Sequence, residues 1–365
     1  MRPGRRSTGR WLLLPALAVP VALVAGIAGG LLRAGVALPA IGGDWLGPAA
    51  LAHAFLMICV VLGTVIAIER AVAVGHPLAF VGPSLSAGAG IAQLAGAGRF
   101  AAWLALAASL AFVAVNVVIM RRQRAAHTAL LLLGAVCWAV GCLGYATGAP
   151  VNEVPCWFTF LVLTIAAERL EMTRLMRRRP GTSAALAAIL VALLLGAMGS
   201  NVLFGLALAA LAVWLLLFDI ARRTVRTHGL SRYMAVCLLL GYGWLLVAGL
   251  AWAGASRGWP LRDAALHGLG LGFVIGMVFG HAPVILPAIA RIKLKFGPAW
   301  YAPLALLHAS LAVRLFGGPG LLAIGALGNA LAIAGFAVTV GGAALAWRFQ
   351  HSPSRQGQVH GTDPS

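Results

Sequence analysis

Residues 264–287 read AALHGLGLGFVIGMVFGHAPVILP, 24 consecutive positions without an aspartate, glutamate, lysine or arginine. An α-helix needs about 20 apolar residues to cross the hydrocarbon core of a bilayer. The run also contains two histidines, His267 and His281, which are costly to place in lipid. This stretch therefore predicts a membrane helix that carries functional polar groups.

Eleven further apolar runs extend along the chain. Of its 365 residues, 61% are hydrophobic and 10% are charged, and its mean hydropathy is +0.96. In a soluble domain, roughly a quarter of all residues are charged. The sequence therefore predicts an all-α integral membrane protein with about twelve transmembrane helices. The predicted cores are 11–33, 47–68, 79–97, 101–120, 126–147, 154–170, 183–199, 202–221, 233–254, 264–287, 299–316 and 320–346.

The basic residues are concentrated on one side of this predicted topology. The net charge is +19, from 27 lysines and arginines against 8 acidic residues. The basic clusters follow the even-numbered helices, which is the distribution of cytoplasmic loops in membrane proteins. The sequence thus predicts both termini on the cytoplasmic side of a bacterial inner membrane, and it disfavours nucleic-acid binding. The clusters are Arg121-Arg122-Gln123-Arg124, Arg177-Arg178-Arg179, Arg222-Arg223, and Lys293 with Lys295.

We interpret residues 1–349 as one polytopic membrane domain and 350–365 as a polar cytoplasmic tail. Helix two ends with IAIER at 66–70, and helix six ends with IAAER at 165–169. This spacing favours three sets of four helices, although a chance match between alanine-rich helices is the alternative. Glu69 and Glu168 within these motifs are expected to form ion pairs at helix ends, or else to take up protons.

His53 and His267 are predicted at matched depth in helices two and ten. Both lie about 6–9 Å below the outer surface, at about 1.5 Å per residue. Two histidines at one depth on different helices can supply both axial ligands of a haem iron. We therefore expect haem b between these helices. The alternative is a pair of hydrogen-bonded packing residues.

Glycines recur at every fourth position of helix ten, at Gly268, Gly272, Gly276 and Gly280. Such a stripe permits close helix packing. It could equally leave room for a flat macrocycle beside His267, and Gly268 and Gly272 are the candidates for that role.

A second site is conceivable at His281 and His308, with Met277 as a soft ligand for copper. A structural or gating histidine is the alternative. Arg314, at the outer end of helix eleven, could bind haem propionates, since arginine suits carboxylates. An ordinary loop arginine is the alternative.

The pattern resembles the core subunit of haem–copper oxidases. The stretch from His53 to Met57, HAFLM, is similar to the His-Gly-x-x-Met start of that family's second helix, which implies that His53 is an axial haem ligand. Arg314 falls where that family keeps arginines against propionates. The helix-ten match is looser, because Leu269 stands where the family has a second histidine. No histidine occurs from 128 to 227, so the copper-site histidines are missing and oxygen reduction is not expected.

A closer resemblance is to NnrS-type membrane proteins, twelve-helix haem–copper relatives linked to nitric-oxide stress and denitrification. They share a histidine-bearing second helix and a late helix rich in histidine and glycine, like the stretch from Leu266 to His281. The resemblance implies a haem protein in electron transfer, nitric-oxide or gas response, or metal handling. The alternative is a cofactor-free multi-pass transporter that uses Glu69, Glu168 and His281.

Overall fold

A computed structural model describes residues 8–39, 44–173, 180–290 and 292–350. Within these ranges the chain is helical and contains no β-strand. Ten of its long helices are α1 (Thr8–Arg33), α3 (Val81–Leu94), α4 (Gly98–Arg122), α5 (Ala126–Thr147), α6 (Glu153–Met172), α7 (Thr182–Gly199), α8 (Asn201–Phe218), α9 (Gly229–Ala255), α11 (Tyr301–Phe316) and α12 (Leu322–Gln350).

Two further long helices are composite. The helix that we call α2 comprises Leu46–Leu51, a π-helical segment Phe55–Leu62, and Gly63–Val74. The helix α10 likewise comprises Arg262–His267, a π-helical segment Gly268–Ile275, and Gly276–Ala290. Short helical turns at Pro77–Phe80, Ala221–Thr224, Pro298–Trp300 and Pro319–Leu321 lie in the connections. Each predicted core coincides with one of the twelve helices. The first seven residues, the cluster at 177–179 and the tail from 351 lie outside the described ranges.

Ten helices of the described ranges are long and apolar enough to span a membrane. The chain is therefore a multi-pass membrane protein. The two remaining long helices are α3, which has 14 residues, and α6. Helix α6 has 20 residues and carries four charged residues, all at its two ends: Glu153, Glu168, Arg169 and Glu171.

Helix α6 lies at the centre of the bundle. Every residue of α6 from 155 to 167 is buried, so this helix is surrounded by protein rather than lipid. It packs against the π-helical segments of both α2 and α10. Around them α1, α3, α4 and α5 pack in succession, and so do α7, α8 and α9. Helix α11 packs on α12, which in turn contacts α1. The three central helices α2, α6 and α10 are four helices apart in the chain, which is the interval of the predicted repeat.

The two ends of the bundle differ chemically. We call the end that carries His53 and His267 the histidine end. The opposite end, with Glu69, Glu168 and His281, is the glutamate end. The α10–α11 connection lies at the glutamate end beside α12, because Lys295 N–H donates to Ala343 O at 3.3 Å.

Candidate functional site

The structure brings His53 and His267 together. Their ring centroids are 6.2 Å apart, and the ring planes differ by 28°. His53 lies in α2 just before its π-helical segment, and His267 is the last residue before the π-helical segment of α10. Two residues separated by more than 200 positions therefore share one site, as their predicted depth required.

The imidazole of His53 is held from α1. Its Nδ1 is 2.7 Å from the carbonyl oxygen of Gly26, and a carbonyl can only accept, so Nδ1 carries the hydrogen. The ring also lies against Gly30, where an added Cβ would be 2.7 Å from His53 Cε1. Only glycine allows α1 to approach the ring this closely. The Nε2 lone pair of His53 is therefore available to a ligand.

The imidazole of His267 is held within its own helix. Its Nδ1 lies 2.9 Å from Asp263 Oδ1, one helical turn earlier. Arg314 of α11 donates to both oxygens of the same carboxylate, through Nε at 2.9 Å and Nη2 at 2.8 Å. The carboxylate thus fixes the ring with hydrogen on Nδ1 and the lone pair on Nε2. A carboxylate behind a histidine also makes that histidine a more basic metal ligand.

The spacing of the two rings suits a single metal between them. A metal–imidazole bond is about 2.0 Å, so two rings bound to one iron through nitrogen have centroids about 6 Å apart. A haem supplies four further nitrogens from its macrocycle, so two protein ligands complete its coordination. Among the described residues no group of three or more histidine, cysteine, aspartate or glutamate side chains could hold a metal ion without such a macrocycle.

A cavity of about 210 Å³ surrounds the two histidines, between α1, α2, α6, α10, α11 and α12. Arg33, Arg262 and Arg314 lie in its wall, and the first two could meet propionate carboxylates. Its volume is below the about 300–1,000 Å³ typical of small-molecule sites. A macrocycle therefore requires the flexible side chains of the wall to change rotamer. These are Leu31, Met57, Leu266 and Leu271.

The cavity wall also contains an unsatisfied acceptor. Asn329 of α12 is 3% exposed, and its Nδ2 donates to Leu307 O and to Ser310 Oγ. Its Oδ1 has no hydrogen-bond partner within the structure. A buried acceptor of this kind is costly unless a ligand or water donates to it.

The two glycines assigned to the macrocycle, Gly268 and Gly272, point elsewhere. An added Cβ at Gly272 would be 2.4 Å from Trp244 Cγ, and one at Gly268 would be 3.3 Å from Ala248 Cβ. Both contacts are to α9, so these glycines permit helix packing, and the expectation of space beside His267 is corrected. The reason is helical periodicity, because positions three and four residues on share a face with His267, and the cavity wall accordingly contains Gly270 and Leu271.

The second proposed metal site is not assembled in the described structure. His281 lies in the wall of a different cavity, at the glutamate end, whose wall does not include His308. Met277 is directed at α9, since a Cβ added to Gly241 would lie 2.5 Å from Met277 Cε. His308 accepts a hydrogen bond from Trp244 Nε1 at 2.9 Å. These three residues therefore do not form the copper site considered above.

Four residues of this site were not predicted from the sequence: Asp263, Gly26, Gly30 and Arg33. Asp263 was detectable, because it precedes His267 by four residues and residues at that interval are neighbours on a helix. The α1 residues were not detectable in the same way. Their roles depend on how closely α1 packs on α2, which no local pattern predicts. Arg314 has a role that differs from the expected one, because its guanidinium is committed to Asp263.

A family model described as Domain of unknown function (DUF8744) matches residues 10–345. The chain belongs to this family. Comparisons with curated proteins and with solved structures found no match. The family therefore provides no ligand or activity, and the function must be argued from the site.

Proposed function

We propose that this protein binds haem b through His53 and His267. One observation carries the proposal, namely two imidazoles 6.2 Å apart that both direct their Nδ1 hydrogen to protein acceptors. Each ring is thereby left with a ligating Nε2. Packing histidines alone have no need of this matched arrangement. The resemblance of the stretch from His53 to Met57 to haem–copper oxidases, and of the chain to NnrS-type proteins, points the same way.

The bound group would supply one-electron chemistry. His53 and His267 would both be engaged in holding the haem iron, which favours electron transfer over oxygen reduction. The residues of this chain would set how readily the iron accepts an electron. Asp263 would make His267 a stronger donor, and Arg33 and Arg262 would neutralise propionates at the cavity rim. A response to nitric oxide or another gas would then depend on electron transfer and not on binding of the gas to the iron.

The proposed topology has twelve crossings in three sets of four, with both termini in the cytoplasm of a bacterial cell. It rests on the basic residues at the glutamate end, where Arg122 Nη1 donates to Val74 O at 3.2 Å and Lys293 lies 4.7 Å from the Trp347 ring. Basic residues at one end favour the cytoplasmic side. The histidine site would then lie near the outer surface of the inner membrane, within reach of an external redox partner.

An absorption spectrum tests the proposal. The purified protein from haem-replete cells should show a Soret band and a b-type reduced-minus-oxidised spectrum. His53→Ala and His267→Ala should lose most of the bound haem. His308→Ala is the matched control, because this membrane histidine lies outside the cavity and its loss should leave the spectrum unchanged. A wild-type protein without a Soret band would refute the proposal.

A cofactor-free transporter is the second candidate, and one observation favours it. One cavity is lined by Glu69, Glu168 and His281. Ionisable groups within a membrane often mark a transport path. Under this alternative the histidine pair would be structural. A protein without haem that carries a solute across proteoliposome membranes would support the transporter.

A further inference from the structure

A second cavity lies at the glutamate end, on the same three central helices as the histidine site. Its volume is about 670 Å³. The wall combines apolar side chains with charged ones, and it receives residues from α2, α4, α5, α6, α9 and α10. A cavity of this size within a membrane protein admits water, and its charged groups can therefore exchange protons with one side of the membrane.

Two carboxylates in this wall share a single cation. The Arg70 Nη2 atom lies 2.9 Å from Glu168 Oε1 and 3.6 Å from Glu69 Oε1. The side chains of Arg70, Glu69 and Glu168 are 14%, 25% and 28% exposed. Like charges that share one site cannot both ionise freely, and a proton on either acid removes the repulsion.

Of the other charged groups in this wall, Arg169 is paired with a carboxylate and Glu171 with a histidine, whereas Arg122 binds a backbone carbonyl at the exposed end of α4 and keeps its positive charge. Arg169 binds Asp219 of the α8–α9 connection at 3.1 Å, and His127 of α5 binds Glu171 at 2.9 Å. Arg122 of α4 donates to the Val74 carbonyl at 3.2 Å. Helix α9 contributes no ionisable side chain to the wall; its lining residues are Ser231, Met234, Ala235 and Leu238.

His281 of α10 is the remaining group. Its Nδ1 donates to Met277 O at 2.8 Å, so Nε2 holds a lone pair and can accept a proton. Pro283 follows closely in the same helix, where it removes a backbone hydrogen bond and frees a carbonyl. Glu69, Glu168 and a neutral His281 together with Arg70 carry a net charge of −1. An uncompensated charge in a membrane interior is costly.

We infer that this cavity is a proton-binding site, in which Glu69, Glu168 and His281 share one proton taken from the side of the membrane that the cavity faces. The proton comes from water and forms an O–H bond on a glutamate or an N–H bond on His281 Nε2. No electron moves in this step. The site then has zero net charge, and Arg70 holds the two acids in place. The inference goes beyond haem binding and does not depend on it.

Infrared difference spectroscopy of the purified full-length protein in lipid nanodiscs tests the inference. At neutral pH the wild type should show the carbonyl stretch of a protonated carboxylic acid, and this band should shift in heavy water. The band should be lost in Glu69→Gln or in Glu168→Gln. It should persist in Glu69→Asp, which keeps a carboxyl group and guards against a folding defect. His281→Gln should move the pH at which the band disappears.

Glu153→Gln is the matched control, since Glu153 begins α6 at the histidine end and its loss should leave the band unchanged. Absence of the band at neutral pH in a folded wild type would overturn the inference. So would a band that falls when sodium or potassium is raised at constant pH, since a metal cation would then neutralise the site. Haem binding is measured independently, by the Soret band. If the Soret band is absent and the carboxylic-acid band is present, the haem proposal has failed; the opposite result means that the proton-site inference has failed.

Discussion

The histidines of the membrane domain differ in whether their Nε2 has a free lone pair. In His53, His267 and His281, Nδ1 donates to an acceptor of the protein, so each has a free Nε2 lone pair. In His308, Nδ1 accepts from Trp244 Nε1, so Nε2 carries the hydrogen. The local partner, rather than the residue type, therefore decides which histidine can ligate a metal or accept a proton.

Asp263 is the residue whose removal should change the haem most specifically. In Asp263→Asn, His267 loses its carboxylate acceptor and Arg314 loses its counter-charge. Both changes disfavour the oxidised iron, so we expect the reduction potential to rise and haem affinity to fall about 10–100-fold. A redox titration followed at the Soret band measures the first effect.

Asp44→Asn serves as the control for this variant, because Asp44 is an exposed carboxylate and its loss should leave the potential unchanged. An unaltered potential in Asp263→Asn would show that the carboxylate does not act through His267.

At the scale of elements, the approach of α1 to α2 determines the position of His53. An added Cβ on Gly29 would be 2.5 Å from the Ala49 backbone, and one on Gly26 would be 2.8 Å from Met57 Sδ. A face of small residues lets two helices come this close in a membrane. Helix α1 thus supplies both the acceptor for His53 and the wall behind its ring.

Gly30→Ala should disrupt this contact. The new Cβ would be 3.0 Å from His53 Nδ1, so the ring must move away from the Gly26 carbonyl. We expect haem affinity to fall by about tenfold or more, because loss of an orienting hydrogen bond weakens a ligating histidine. Haem content after titration with free haem is the measurement.

Gly243→Ala provides the comparison, since an added Cβ at Gly243 meets nothing within 4 Å and haem binding should be retained. Equal affinity in both variants would mean that α1 does not orient His53.

The π-helical segments are the elements that the sequence did not predict. Phe55–Leu62 and Gly268–Ile275 have eight residues each and begin within two residues of His53 and His267. Such segments are rare in proteins, but those that do occur lie frequently at functional sites. Apolar periodicity cannot distinguish them from α-helix when the whole run is apolar.

At the scale of the molecule, the apolar runs predicted the helices well. Spans of about 20 apolar residues leave a strong signal, because every backbone group must be bonded within the helix. The central position of α6 was not predictable from its hydropathy, since an apolar run does not show whether the helix faces lipid or protein. The partnership of Arg70 with Glu168 was likewise hidden, because it joins residues 98 positions apart.

The proposed orientation can be measured by cysteine labelling. The five native cysteines are buried, whereas Arg257 at the histidine end and Arg223 at the glutamate end are exposed. A membrane-impermeant maleimide should label Arg257→Cys in spheroplasts, while Arg223→Cys should react only after lysis. The reverse pattern would place the histidine site on the cytoplasmic side and refute the proposed topology.

The central claim is that His53 and His267 bind one iron from opposite faces, and electron paramagnetic resonance of the oxidised protein tests it most directly. The wild type should give the low-spin signal of two imidazole ligands. Haem retained by His53→Ala or by His267→Ala should become high-spin, and added imidazole should restore the low-spin signal. A high-spin wild type, or a low-spin signal that survives either substitution without imidazole, would contradict the claim.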